Sequence, residues 1–341
     1  MKHLYRLFRN GYFHVFVALI ILPFGITPAA AQDHEHHHHQ MTAEQFAELR
    51  EKVPLYREYT DEQIMENMAG MGPGLNIYVS DAQLADDVGV LALGHGFGPE
   101  GNEMFRSAYE TTAVQHPTSL ALGMAMMSSS HIQAAVDDLT AAGAEMVLVI
   151  PVTTLKTGKL IGQWRYIFGE QDEAPWMSVE RVQSDARIVF GPTPTDDRLI
   201  AEILLAYAKQ MSSDPRNEVV AIIGHGATDP QANAQELEIL ERHSAVIRNG
   251  DDFARVQAFT LQDDAPSEIR SANIERMRAW VRAATDRGQR VIVVTTVPVR
   301  ARVQEKIRQD LEGLDYVMNE QGVVEHPLFS DWIESTIAAS K

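Results

Sequence analysis

A chain of 341 residues with 47 Asp and Glu against 29 Lys and Arg carries a formal net charge of −18, is 45% hydrophobic, and contains no cysteine. The apolar fraction excludes a disordered or collagen-like chain, and the lack of thiols excludes disulfides, zinc–thiolate and iron–sulfur sites and cysteine nucleophiles. The acidic balance argues against nucleic acid as a partner, since that binding rests on Lys and Arg neutralising phosphates.

Residues 1–31 carry the three-part pattern of a cleaved export signal: Lys2, Arg6 and Arg9, an apolar run over 15–22, and small residues ending in Ala29-Ala30-Ala31. The alternative is an uncleaved anchor, but the apolar run is shorter than the roughly 20 residues of a spanning helix. Cleavage predicts a periplasmic or secreted protein with no membrane association afterwards. Segment 32–87 then reads as a histidine-rich tail and a helical lead-in. Within Asp33-His34-Glu35-His36-His37-His38-His39 the imidazoles suit Co²⁺, Ni²⁺, Cu²⁺ or Zn²⁺. They form either a metal-collecting tail or an expression tag. Thr42 with Gln45, and Thr60 with Gln63, have capping-box spacing. Met65, Met68 and Met71 read as packing, with thioether ligation as the alternative.

From residue 88 the pattern alternates apolar strands with amphipathic helices. Strands are predicted over 88–93, 119–126, 146–152 and 187–190, with helices over 103–113, 132–142 and 198–211. The order restarts with strands over 219–223, 256–261, 291–297 and 316–318 and helices over 231–247, 267–287, 302–311 and 327–339. Near-continuous Val/Ile/Leu strands between helices imply parallel sheets covered on both faces. The expected fold is α/β, with two similar doubly wound halves, 88–213 and 214–341, each holding a parallel four-stranded sheet. The boundary falls at Ser212-Ser213-Asp214-Pro215.

The halves repeat one motif. Val90-Leu91-Ala92-Leu93-Gly94-His95-Gly96 is followed by Pro99 and Asn102; Val220-Ala221-Ile222-Ile223-Gly224-His225-Gly226 is followed by Pro230 and Asn233. In open α/β sheets ligands bind beyond the carboxyl ends of strands. Glycines there let backbone turn and ligand approach, and an imidazole can bind metal or take a proton. His95 and His225 are therefore the candidate catalytic and metal-binding residues. Lys156, Lys159 and Arg165 follow one strand, and Arg300 and Arg302 follow its counterpart, as candidates for binding an anionic substrate; the alternative is ordinary solvated charge. His131 and His243 are expected on helix surfaces, His116 in a turn, and His326 as a helix cap. A hydrolase using Ser128–Ser130 is the weakest reading, because no Gly-x-Ser-x-Gly elbow is present.

The duplicated strand, Gly-His-Gly, Pro and Asn, together with Glu325-His326-Pro327-Leu328, resemble the class II tetrapyrrole chelatases over about residues 88–335. The nearest branch is the sirohydrochlorin cobalt, nickel and iron chelatases of cobalamin, F430 and sirohaem synthesis. The resemblance implies a lyase of the sirohydrochlorin cobaltochelatase type. Such an enzyme inserts Co²⁺, Ni²⁺ or Fe²⁺ into a tetrapyrrole with no cofactor beyond the metal substrate. Histidines bind the ion and accept pyrrole protons, and the basic residues would hold the tetrapyrrole carboxylates. The chain departs from that pattern, and half one has Met124-Ala125-Met126-Met127 where the family carries an acidic residue. The family's second histidine is missing from 151–165 and from Val299-Arg300-Ala301-Arg302-Val303. Asp263 is the candidate for the family's acidic residue. The alternative function is a non-catalytic exported protein that binds metal or tetrapyrrole on the same fold.

Overall fold

The computed structural model describes residues 41–53, 56–69 and 73–341. The export pattern 1–31, the tail histidines His34, His36, His37, His38 and His39, and Met71 lie outside the described residues. Helix α1 (Ala43–Lys52) opens with the expected capping box: Gln45 N–H donates to Thr42 Oγ1 and Thr42 N–H to Gln45 Oε1. Helix α2 (Asp61–Ala69) opens in the same way with Thr60 and Gln63. It buries Ile64 and Met68, so Met68 is packing.

A short strand, β1 (Leu75–Tyr78), follows inside the segment expected to be a helical lead-in. It pairs antiparallel with β3 at the edge of the first sheet. Four residues, Leu75 exposed and the other three half-buried, carry too little alternation to announce a strand; the edge of β3 supplies the hydrogen bonds that make one.

The first half continues as β2 (Val88–Gly94), α3 (Gly98–Ser107), α4 (Glu110–Ala113), β3 (Thr118–Leu122), α5 (Ser130–Ala141), β4 (Met146–Pro151), α6 (Lys159–Ile167), β5 (Arg187–Phe190) and α7 (Arg198–Met211). The second runs β6 (Glu218–Gly224), α8 (Pro230–Gly250), β7 (Arg255–Thr260), α9 (Ser267–Thr285), β8 (Arg290–Thr295), α10 (Arg302–Asp310), β9 (Val317–Met318) and α11 (Pro327–Ser340). Strand β3 stops at Leu122, short of the predicted end. Gly123 at φ 151° and Ala125 at φ 52° turn the chain out of the sheet.

The sheet orders are β1-β3-β2-β4-β5 and β7-β6-β8-β9. Apart from β1, every pairing is parallel, and the two orders superpose with β2 on β6. All seven residues of β2 and of β6 are buried; apart from Glu218, paired with Arg290, they are apolar runs, as a doubly covered sheet requires.

The closing helix of each half leans on the other half. Helix α7 packs on α8 and β8, and α11 packs on α4 and α7. Tyr207 Oη donates to Gly322 O at 2.8 Å, Trp332 Nε1 to Asp197 Oδ2 at 3.2 Å, and Thr112 Oγ1 to Glu334 Oε1 at 2.8 Å. One core cluster accordingly runs through both sheets, from Val90 and Leu148 to Ile222, Val294 and Trp332. The two sheets are separate, while the packing joins the halves into one body.

Candidate functional site

Strands β2 and β6 are the points where strand order reverses, with β3 and β4 on either side of β2 and β7 and β8 on either side of β6. Crevices open at such switch points, and each Gly-His-Gly turn leaves its strand there. Gly96 and Gly226 have φ of 88° and 83°, a region closed to most side chains. At Gly226 a Cβ would also lie 2.7 Å from the backbone nitrogen of Gln262, and at Gly224 it would lie 2.6 Å from Glu236 Oε1. Pro99 and Pro230 stand in the first turns of α3 and α8, where a missing N–H costs nothing.

The second turn is held from three sides. Gln262 N–H donates to His225 O at 2.8 Å, Gln262 Nε2 donates to Ala227 O at 2.8 Å, and Gly226 N–H donates to Glu236 Oε1 at 3.2 Å. Asn273 Nδ2 in turn holds Gln262 Oε1 at 3.1 Å. His225 Nδ1 lies 3.0 Å from Gly226 O. A carbonyl only accepts, so this bond needs the proton on Nδ1. In the neutral ring it leaves the Nε2 lone pair free for a metal or a proton.

His225 Nε2 faces Asp264 Oδ2 at 3.9 Å. The expected acidic residue, Asp263, is occupied instead. It is paired with Arg270 at 3.3 Å and with Lys306, and its side chain is 16% exposed. Arg270 continues to Asp310 at 2.5 Å. Asp263 is thus a structural anchor, and the available carboxylate beside the imidazole is Asp264, 74% exposed.

The first turn is held differently, by Phe97 N–H donating to Asn102 Oδ1 at 2.8 Å. The His95 ring packs on Phe97 with centroids 4.5 Å apart. His95 is solvent-exposed, yet its proton affinity is lowered, chiefly by the desolvating protein around it. Together these describe a ring that is open to solvent and yet flanked closely by protein. A backbone hydrogen bond at Gly96 works in the opposite direction, His225 lowers the affinity further, and Asp264 raises it. His95, His225 and Asp264 therefore lie within one another's electrostatic reach, although 130 positions separate the two histidines in sequence. Among the described residues no three His, Asp or Glu side chains converge as a ready-made metal cage.

The basic residues divide. Lys156 lies on the loop after β4, paired with Asp196 at 2.5 Å. With Leu155 and Thr157 it faces Gln235, Glu236 and Arg242 of α8 across a cleft of about 270 Å³. Arg300 pairs with Glu325 at 3.2 Å, and Arg302 is exposed at the start of α10. Lys159 donates instead to the Lys52 carbonyl of the lead-in. Arg165 stacks 4.8 Å over Phe190 and pairs with Glu170 at 2.7 Å. Lys159 and Arg165 are thus engaged in local structure.

His131 and His243, expected on helix surfaces, are both buried. His131 packs so closely on Gly74 that a Cβ there would lie 2.4 Å from Nδ1, and burial pushes its pKa down to about 4. His243 Nε2 meets Thr195 O at 3.0 Å. His116 contacts Asp86 at 2.5 Å, and His326 caps α11 by accepting from Leu328 N–H at 3.3 Å. The site residues that sequence reasoning missed are Glu236, Gln262 and Asp264. For Glu236 and His243 a signal existed. Asn233, Glu236, Leu240, His243 and Ile247 are all buried on α8, at the three- and four-residue spacing of one helical stripe. A polar residue on that stripe is an inward-facing one.

Family models and curated sequences give no match to the chain. Solved structures do. SirB from Bacillus subtilis with Fe³⁺ superposes with a TM-score of 0.55 at 14% identity, covering 75% of this chain and 96% of SirB. DR2241 from Deinococcus radiodurans is a multi-domain protein with structural similarity to chelatases and two additional novel domains. It gives 0.50 at 15% identity, over 75% of this chain and 56% of DR2241. CbiX, the terminal enzyme for biosynthesis of sirohaem in denitrifying bacteria, gives 0.49 at 16%, over 74% and 99%. The likeness to SirB and DR2241 is one of fold: two chelatase-like α/β halves.

Proposed function

We propose that this chain brings a divalent metal ion and a carboxylate-bearing tetrapyrrole together at the mouth between its halves and inserts the metal, as a chelatase of the sirohydrochlorin type. The observation that carries this reading is the duplicated Gly-His-Gly turn. Two equivalent switch points each present an imidazole, and the two imidazoles feel one another's charge. Insertion replaces two pyrrole N–H protons by one M²⁺ and releases two protons. The site therefore needs groups that are unprotonated near neutral pH, able to hold the ion and then to take a proton. The depressed proton affinity of His95 favours that state, the Nδ1–H hydrogen bond of His225 leaves Nε2 as its ligating atom, and Asp264 offers a carboxylate beside them. Lys156, Arg300 and Arg302 supply positive charge for substrate carboxylates. Cobalt, nickel and iron all suit imidazole ligands. The pattern in 1–31 supports work outside the cytoplasm, and His34, His36, His37, His38 and His39 would gather the ion.

One observation favours a second reading, an exported carrier without turnover. The loops after β4 and β8 present Thr153, Thr154 and Thr296, and no imidazole. Purified full-length chain mixed with Co²⁺ and sirohydrochlorin separates the two. A chelatase accelerates the absorbance change of metal insertion over the protein-free mixture, by about 10²-fold or more if general base catalysis operates. A carrier binds both components at the uncatalysed rate. If neither His95→Ala nor His225→Ala alters rate or binding, the site reading is wrong.

A further inference from the structure

Glu236 is an unusual residue to find under a turn. It is 3% exposed, and its Oε2 has no hydrogen-bond partner among the described residues. A carboxyl in that position is costly to the fold, because an unsatisfied buried polar group loses its hydration without compensation. The first half shows that the fold does not require it. Three residues after the motif asparagine, the first half has Phe105, fully buried in the apolar core, where the second has Glu236. The first turn is held by Asn102 instead. In the second half Asn233 Oδ1 is buried without a partner, and Glu236 has taken over the hold on the turn.

What Glu236 holds is one residue away from the imidazole. Gly226 N–H donates to Glu236 Oε1, and Gly226 C=O accepts from His225 Nδ1. The turn is also held on its other side, where Gln262 N–H donates to His225 O at 2.8 Å. A buried carboxyl group thus sets the orientation of the candidate metal-binding histidine through one intervening glycine, in the way outer partners set ligating imidazoles directly.

Resting on the reading of His225 as a metal ligand, we infer that Glu236 is the positioning residue for His225: through Gly226 it fixes the Nδ1–H tautomer and keeps Nε2 on the side of Asp264. The second half is thereby specialised as the metal-presenting half, at a cost in stability that the Phe105 half does not carry.

The test is Co²⁺ titration of the full chain with its five tail histidines replaced by Asn, followed by the visible absorbance of the bound ion. Glu236→Met keeps side-chain length and removes the acceptor; Glu236→Gln keeps the acceptor. Glu236→Met is expected to weaken Co²⁺ binding about tenfold or more while the unfolding temperature stays level or rises. Glu236→Gln is expected to restore binding. Imidazole ¹⁵N spectra give a second readout: His225 stays in the Nδ1–H form in the parent and in Glu236→Gln, and mixes tautomers in Glu236→Met. If His225→Ala abolishes binding while Glu236→Met binds and titrates like the parent, the positioning role is overturned and the site reading survives. If His225→Ala binds like the parent, both fall.

Discussion

His225 Nε2 stands 3.9 Å from Asp264 Oδ2, while Asp263, its neighbour in sequence, turns away into a network with Arg270 and Lys306. Two adjacent carboxylates thus have opposite employment. One braces α9 and α10, and the other is left at the histidine pair.

Because Asp264 is among the groups that raise the proton affinity of His95, Asp264→Asn should lower the His95 pKa further. The shift should shrink in high salt, since this carboxylate is exposed. Imidazole NMR titration at two ionic strengths checks it, and an unchanged His95 curve would place Asp264 outside the shared field. Asp263→Asn, in contrast, should reduce stability and leave the His95 titration in place.

Stability should bend at both ends of the pH range. His131 is held at about 4 against an ordinary 6.5. Its stabilising contribution is complete above 6.5 and is lost as pH falls towards 4, because the unfolded chain then binds the proton more tightly. Glu236 is raised from 4.5 to about 7. Its contribution is complete below 4.5 and is lost as pH rises through 7. Each amounts to roughly 3 kcal/mol. Urea midpoints measured from pH 4 to 8 should show a flatter acid limb in His131→Gln and a flatter neutral limb in Glu236→Gln. Curves parallel to the parent would contradict these burials.

The two turn glycines should not be equivalent. Gly96→Ala meets only the strain of positive φ, with its nearest neighbour 3.9 Å away, at a cost of about 1–2 kcal/mol. Gly226→Ala meets the same strain and drives a Cβ to 2.7 Å from the Gln262 backbone. Thermal unfolding should rank Gly226→Ala well below Gly96→Ala. Equal losses would mean that the second turn is looser than described.

The interlock of closing helices predicts cooperative unfolding. Trp332, buried in the core shared by both sheets and bonded to Asp197, should cost about 3–5 kcal/mol as Trp332→Ala. Probes placed in either half should lose structure together. Separate transitions for the two halves would show that the shared core does not couple them.

Much of this architecture was legible in the residue order. The strands around His95 and His225 are uninterrupted apolar runs, as required of strands covered on both faces, and the repeated Gly-His-Gly, Pro and Asn marked their carboxyl ends. Strand β1 was not legible, because Leu75–Tyr78 becomes a strand only when β3 offers an edge. His131 escaped notice although Ala135, four residues on, shares its buried face of α5. Lys159 and Arg165 were legible as charge but not as partners, since only folding brings Lys52 under one and Phe190 under the other.

Periodicity and a duplicated motif are local properties, so sequence alone settled the α/β halves, the ends of the strands that lead into the two motifs, and the two glycine-flanked imidazoles. Direction and company are set by groups distant in the chain. Only the folded molecule therefore decided that His95 and His225 share a field, that Asp264 rather than Asp263 faces them, that Glu236 grips the second turn through Gly226, and that each half finishes its core with a helix leaning on the other.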